Sequence, residues 1–415
     1  MAEPDYIRRL LDARISRLFE ELPALLLTGP RATGKTTTAR RHAATVLRLD
    51  RPAEAAAFRA DPDAALRSQP EPVLLDEWQA VPEVLGAVKR AVDDDPRAGR
   101  FLLTGSVLGD LRTETWPGTG RIVRLAMYGL TEREIAGRTA GQTFLDKLTI
   151  GEADAFALPD DGVPDLRRYI EMALRGGYPD PALRLSDDSR RAWLEGYLDQ
   201  LLTRDAELLT GPRDPERLRR YLQAVALNTA GVPTHKTLYD AAAINSRTAA
   251  AYDQLLANLF ILDIVPAWTS NRLTRLVRAP KRYLVDPSLV GGALRLDVPA
   301  VMRDGDLLGR LVDTLAVAQL RPELELASHR PVRHHMREKD GRREIDLVVE
   351  VAGGGIVALE IKATATPTAS DARHLAWLRD TLDDRFIAGA VLHTGPRVFR
   401  LADRVLALPI CTLWG

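Results

Sequence analysis

Apolar residues along this chain come in two rhythms. Short unbroken runs stand at 24–27, 73–75 and 101–103, each closed by polar residues. Runs of that length predict strands buried on both faces, as in a parallel sheet covered by helices. An alternating run at 122–125 adds a further strand, and 36–47 between the first two runs reads as a helix. From 164 to 209 the helical rhythm takes over, broken at Gly176-Gly177. Three helices are expected from Pro215 onward. The first begins at Pro215, the second is capped by Thr234, and the third opens at Asn245 with Ala251, Leu255, Leu256 and Leu259 at helical spacing. A strand follows at 260–268. Beyond it come a helix at 307–320, strands at 344–349 and 356–362 around Gly353-Gly354-Gly355, and a helix at 370–380. The alternation places the chain in the α/β class.

A chain of 415 residues predicts two or three domains, set here at 1–150, 151–295 and 296–415. Lys+Arg and Asp+Glu both total 57, so any basic patch must be local. One cysteine, Cys411, excludes a disulfide scaffold and a cysteine-based zinc site. The apolar runs are far short of the roughly 18 residues of a membrane span, and the first 16 residues lack the apolar core of a signal peptide. A soluble, cytoplasmic protein is the expectation. Only seven basic residues are lysines, at 35, 89, 147, 236, 281, 339 and 362, so each lysine's position is informative.

The first lysine closes Gly29-Pro30-Arg31-Ala32-Thr33-Gly34-Lys35-Thr36, which fits the phosphate-binding pattern G-x-x-x-x-G-K-[ST] between a strand and a helix. Its backbone N–H groups, through Thr37, are expected to cradle phosphates. Lys35 is assigned to the β/γ-phosphates and the Thr36 hydroxyl to Mg²⁺. The strand at 73–75 ends in Asp76 and Glu77. Asp76 is assigned to Mg²⁺ and Glu77 to the general base for water, a pair that points to hydrolysis. The strand at 101–103 ends near Thr104 and Ser106, candidates for sensing the γ-phosphate. Arg121, after Gly118-Thr119-Gly120, is a candidate to touch that phosphate in cis or in a neighbouring subunit, which would require a homo-oligomer.

The segments LLTGPRATGKTT, VLLDEWQAVPEVLGAVKRAVD, GRFLLTGS, GTGRIVRLAMYGLTEREI, RGGYPDPAL and APKRYLVDPSL together resemble a bacterial and archaeal group of AAA-like P-loop ATPases. Its members join an AAA-like core to a C-terminal domain of unknown function. The resemblance implies ATP rather than GTP, an AAA-type sheet and a cytoplasmic location.

Two later regions carry further expectations. Helix, turn, helix and strand in the middle follow the winged-helix order. Asn245, Ser246 and Arg247 then stand at the end that reads DNA in many such domains. Residues 271–282 hold Arg272, Arg275, Arg278, Lys281 and Arg282 with no acid, a pattern that suits phosphate contacts. A lid or protein-docking role is the other reading. Near the end, Asp346, Glu360 and Lys362 across a Gly-rich hairpin resemble the PD-(D/E)xK endonuclease core. Glu360 and Lys362 share a strand face. Asp346 and Glu360 are assigned to Mg²⁺, and Lys362 to water or phosphate. The acid expected on the first helix of that core is replaced by Gly309, with Asp313 one turn on. An ATP-gated nuclease and a non-cutting switch both remain open. His334 and His335 lack a third ligand at suitable spacing for a metal.

Overall fold

A computed structural model describes residues 6–107, 120–160, 162–206, 214–270, 278–327, 331–338 and 342–415. Five strands form the first sheet: β1 (Ala24–Thr28), β2 (Thr45–Arg48), β3 (Val73–Asp76), β4 (Phe101–Gly105) and β5 (Ile122–Ala126). All are parallel, in the order β2-β3-β4-β1-β5. The apolar runs become its three central strands because both faces are covered. Leu26, Leu75 and Leu103 pack under the helix Val84–Asp94. Leu25, Leu27, Leu74 and Leu102 pack on the other face with Ile15 and Phe19 of the helix Asp12–Glu21. The helix expected over 36–47 is instead a short one, Lys35–Arg40, followed by β2. Thr45 and Val46 are β-branched and find partners in Val73 and Leu74, so sheet pairing takes that stretch.

The middle is mostly helical. Leu166–Arg175 ends at Gly176, whose φ of 69° is hostile to side chains and where a Cβ would lie 2.3 Å from an Asp286 oxygen. Helices Pro215–Leu227, His235–Ala241 and Ser246–Asn258 lead into an antiparallel ribbon of β6 (Leu262–Val265) and β7 (Lys281–Leu284). Thr234 and Asn245 cap the second and third helices.

The last part begins with the helix Gly305–Leu324. A mixed sheet of six strands follows: β8 (Val332–Arg337), β9 (Glu344–Glu350), β10 (Ile356–Lys362), β11 (Phe386–His393), β12 (Phe399–Ala402) and β13 (Val405–Pro409). The helix Arg373–Leu382 connects β10 to its parallel neighbour β11. Leu347, Val349, Val357 and Leu359 share a core with Leu311 and Leu315 of the long helix. Val348, Ile356 and Ala358 pack with Leu375 and Leu378 on the opposite side. The first of these cores is continuous with the middle helices and takes in Phe144, Leu145 and Leu148. No helix among the described residues is long and apolar enough to cross a membrane.

Candidate functional site: a phosphate-binding loop and its acids

In a parallel sheet all strand ends of one kind face one edge, so β1, β3 and β4 present the loop, the acids and the polar pair together. The loop needs its glycines. Gly34 has φ of 91°, and Gly29 has φ of 153° with a hypothetical Cβ only 1.9 Å from the Met127 carbonyl oxygen. Lys35 is buried and donates to the carbonyls of Gly29 (3.0 Å) and Pro30 (2.6 Å). Among the described residues its hydrogen bonds go to loop carbonyls rather than to a carboxylate. Burial lowers its pKa to about 8, with the Glu77 charge opposing the fall.

Thr36 donates to Asp76 Oδ1 at 2.7 Å, which brings a hydroxyl and a carboxylate together as a hard cation requires. Thr104 also donates to Asp76 Oδ1 and accepts from the Glu77 N–H at 3.3 Å. Thr104 therefore fixes both acids. Glu77 has φ of 55°, a left-handed turn directly after β3. Ser106 donates to Glu77 Oε2 at 3.4 Å. Gln79, which sequence reasoning missed, donates to the same oxygen and to Ser106. Its signal was its place two residues after Glu77. A second omission is Arg9, whose guanidinium donates to the Thr33 carbonyl at 2.7 Å from outside the motif. Tyr197 of the helix Asp187–Gln200 donates to the Arg31 carbonyl at 3.3 Å. Ala32 takes the positive φ of 59° at the loop tip.

Arg121 lies elsewhere. Because Ala24 pairs with Ile122 and Thr28 with Ala126, Arg121 stands at the opposite edge of the sheet from the loop. The strand alone separates them by about 13 Å. Its side chain is paired with Asp93 at 2.7 Å on an exposed surface. A contact in cis with the γ-phosphate is thus excluded by the direction of β5. Gly118 and Thr119 lie outside the described residues.

Residues 21–136 match a family described as an AAA domain. This part of the chain is similar to AAA-type P-loop domains. Residues 166–300 and 308–413 match two domains of unknown function, DUF8612 and DUF4143. Uncharacterised proteins of Mycobacterium bovis and Mycobacterium tuberculosis are each 28% identical over 411 residues, covering 97% of this chain and 83% of theirs. A Walker-type ATPase of Pyrococcus abyssi aligns with 71% of this chain and 99% of its own, at 15% identity and a TM-score of 0.43. A DNA polymerase III gamma subunit-related protein of Thermotoga maritima aligns with 75% of this chain and 99% of its own, at 14% identity and a TM-score of 0.22.

Beyond the AAA domain, two sequence assignments change. Lys281 and Arg282 do not offer their charges to phosphate, because both are buried. Arg282 pairs with Asp253 at 2.6 Å, and Lys281 bonds Asp313 at 2.8 Å and Asp346 at 2.9 Å. Arg278 donates to the Arg337 carbonyl, while Arg272 and Arg275 lie outside the described residues. Asn245, Ser246 and Arg247 are exposed. The second change concerns Asp346 and Glu360 as metal ligands. Asp346 is taken by Lys281 and by the Ile361 N–H, and Glu360 by Lys362 at 2.7 Å. No group of three or more His, Cys, Asp or Glu among the described residues is arranged to hold a metal ion. Burial lifts Glu360 to about 8 and Asp313 to about 7. Burial opposes the charge on Lys281, but its two carboxylate neighbours outweigh burial and hold its pKa well above the ordinary value. His334 and His335 are buried in β8, with His335 Nε2 against the Ala279 carbonyl.

Proposed function

We propose that this chain binds ATP and hydrolyses it with Mg²⁺, and that the nucleotide state is passed to the middle and C-terminal parts, which act on a partner. The observation that carries the reading is the joining of Thr36, Asp76, Thr104, Glu77, Gln79 and Ser106 in one hydrogen-bonded set beside Lys35. Loop N–H groups and Lys35 would hold the β/γ-phosphates once Lys35 leaves its own carbonyls. Thr36 and Asp76 would hold Mg²⁺, which supplies neutralisation of phosphate charge. Glu77, aimed by Gln79 and Ser106, accepts the proton of the attacking water. Thr104 serves as the orienter of the two acids, and Ser106 as the partner of the base.

Coupling has physical support in the contacts around the loop. Arg9 links the Thr33 carbonyl to Glu134 at 3.0 Å. Glu134 belongs to the short helix Glu132–Ile135, where Arg133 pairs with Glu323 of the long C-terminal helix and the Glu132 N–H donates to Gln319 at 2.7 Å. A shift of the loop on nucleotide binding therefore pulls on one bonded series reaching the last part of the chain. The winged-helix order of three helices and a ribbon supports DNA as the partner through the exposed Asn245–Arg247 end. The burial of Lys281 and Arg282 favours protein docking for the ribbon. Cytoplasmic location and homo-oligomer formation belong to the same proposal.

Glu77→Gln tests the central claim. Turnover should fall at least about 10²-fold while ATP affinity stays within a few-fold. Wild-type turnover in purified Glu77→Gln would remove Glu77 as the base.

A further inference from the structure

The C-terminal acids are arranged around a lysine from another part of the chain. Asp313 stands on the helix Gly305–Leu324, Asp346 on β9 and Lys281 at the start of β7. The Lys281 ammonium donates to Asp313 Oδ2 at 2.8 Å, to Asp346 Oδ1 at 2.9 Å and, more weakly, to the Asp346 carbonyl at 3.4 Å. Its side chain is 1% exposed. Tyr283 donates to the second Asp313 oxygen at 3.1 Å, and the Ile361 N–H to the second Asp346 oxygen at 2.9 Å. Glu360 lies next along the β9–β10 pairing, with Oε1 on Lys362 and Oε2 buried without a hydrogen-bond partner among the described residues.

Three oxygens from two elements around one buried positive charge is the donor set that a hard divalent ion uses. Here the charge is covalently part of the chain. It arrives on a ribbon that is itself held down. Asp263 of β6 bonds Arg321 at 2.8 Å and Arg333 at 2.7 Å, and the Trp268 N–H donates to the His335 carbonyl at 2.6 Å. Gly309, where an acid would be expected, has nothing among the described residues within 4 Å of a hypothetical Cβ.

We propose that Lys281 is the built-in cation of this site, closing it to divalent metal and leaving the C-terminal part to assemble without one. The two carboxylates are satisfied by an ammonium that cannot dissociate, so Mg²⁺ would have to displace it at the cost of burying an unpaired lysine. The consequence is that the Asp346, Glu360 and Lys362 constellation does not carry out metal-dependent cleavage in this chain. Removing the lysine should turn the same oxygens into a metal site.

The experiment measures Mn²⁺ binding to the full chain without nucleotide, by loss of the free-ion electron paramagnetic resonance signal, alongside thermal melting. Wild type and Asp346→Asn should bind the same number of Mn²⁺ ions. Lys281→Met should bind one more, and its melting temperature should rise by several degrees in millimolar Mn²⁺. Lys281→Met/Asp346→Asn should lose both effects. An Asp346-dependent Mn²⁺ ion in wild type overturns the proposal, as does a folded Lys281→Met chain that gains none. Lys281→Met that is unfolded alone should refold with Mn²⁺ and not with Na⁺ at equal ionic strength. If it does not refold, the assignment falls: the lysine then serves the site through its stem rather than as a cation. Folding of Lys281→Met/Asp313→Asn/Asp346→Asn without Mn²⁺ would confirm that unpaired carboxylates are what the ammonium answers.

Discussion

Lys35 illustrates how burial sets the behaviour of a single residue. Its ammonium is held by the Gly29 and Pro30 carbonyls, and burial brings its pKa down to about 8. Below that pH it is charged and ready for phosphate; above it the free protein loses the cation. ATP affinity should therefore be flat up to about pH 8 and then fall by up to about tenfold per pH unit. Isothermal titration between pH 7 and 9.5 checks this, and a flat profile throughout would show that Lys35 stays charged. Gly29 makes the matching steric prediction. With a Cβ 1.9 Å from the Met127 carbonyl oxygen, Gly29→Ala must displace the loop or the backbone just after β5, and ATP binding should be lost in a chain that still folds. The motif residues were legible because their spacing is itself the chemistry. Arg9 was not, since it reaches the loop only through the fold, while Gln79, two residues after Glu77, is aimed back at it by the left-handed turn there.

At the scale of elements, the β6–β7 ribbon shows how local pattern misleads. Lys281 and Arg282 stand in a stretch without acids, which reads as a solvated basic patch. In the fold their acids come from elsewhere. Asp253 arrives from the helix Ser246–Asn258, where it bonds Tyr221 at 2.7 Å as well as Arg282. Arg282→Met leaves that carboxylate buried without its charge partner and should cost about 3–5 kcal/mol. Adding Asp253→Leu should recover most of the loss, because the uncompensated charge goes with it. Denaturant melts of the single and double variants decide it; equal losses in both would mean that packing, not charge, dominates.

For the whole molecule, the short helix Glu132–Ile135 is the joint. Glu134 receives Arg9 from the loop side, Arg133 holds Glu323, and Glu132 pairs with Arg175 of the middle helices. Arg133→Gln should keep ATP affinity within a few-fold while ATP no longer changes the protease sensitivity of the C-terminal part. Retained ATP-dependent protection would place the coupling elsewhere, with Tyr197 on the Arg31 carbonyl as the next contact to test. Arg121 gives a complementary expectation. Paired with Asp93 on the far edge of the sheet, it cannot serve its own site. Arg121→Ala should therefore leave turnover unchanged in dilute protein. A loss that grows with protein concentration would identify it as a residue acting on a neighbouring copy.

Short apolar runs determined β1, β3 and β4 because strands buried on both faces leave no other choice of residue. The loop from Gly29 to Thr36 was equally determined, since phosphate cradling needs glycines and a lysine at one spacing. Helix caps at Thr234 and Asn245 were readable for the same reason: a side chain meeting a backbone N–H three residues on is a local event. The tertiary structure alone decided the sheet order β2-β3-β4-β1-β5, and with it which end Arg121 occupies. It alone brought Lys281 between Asp313 and Asp346, residues 32 and 65 positions away along the chain. Charge acts through space, and a buried ammonium takes the nearest carboxylates whatever their distance in sequence.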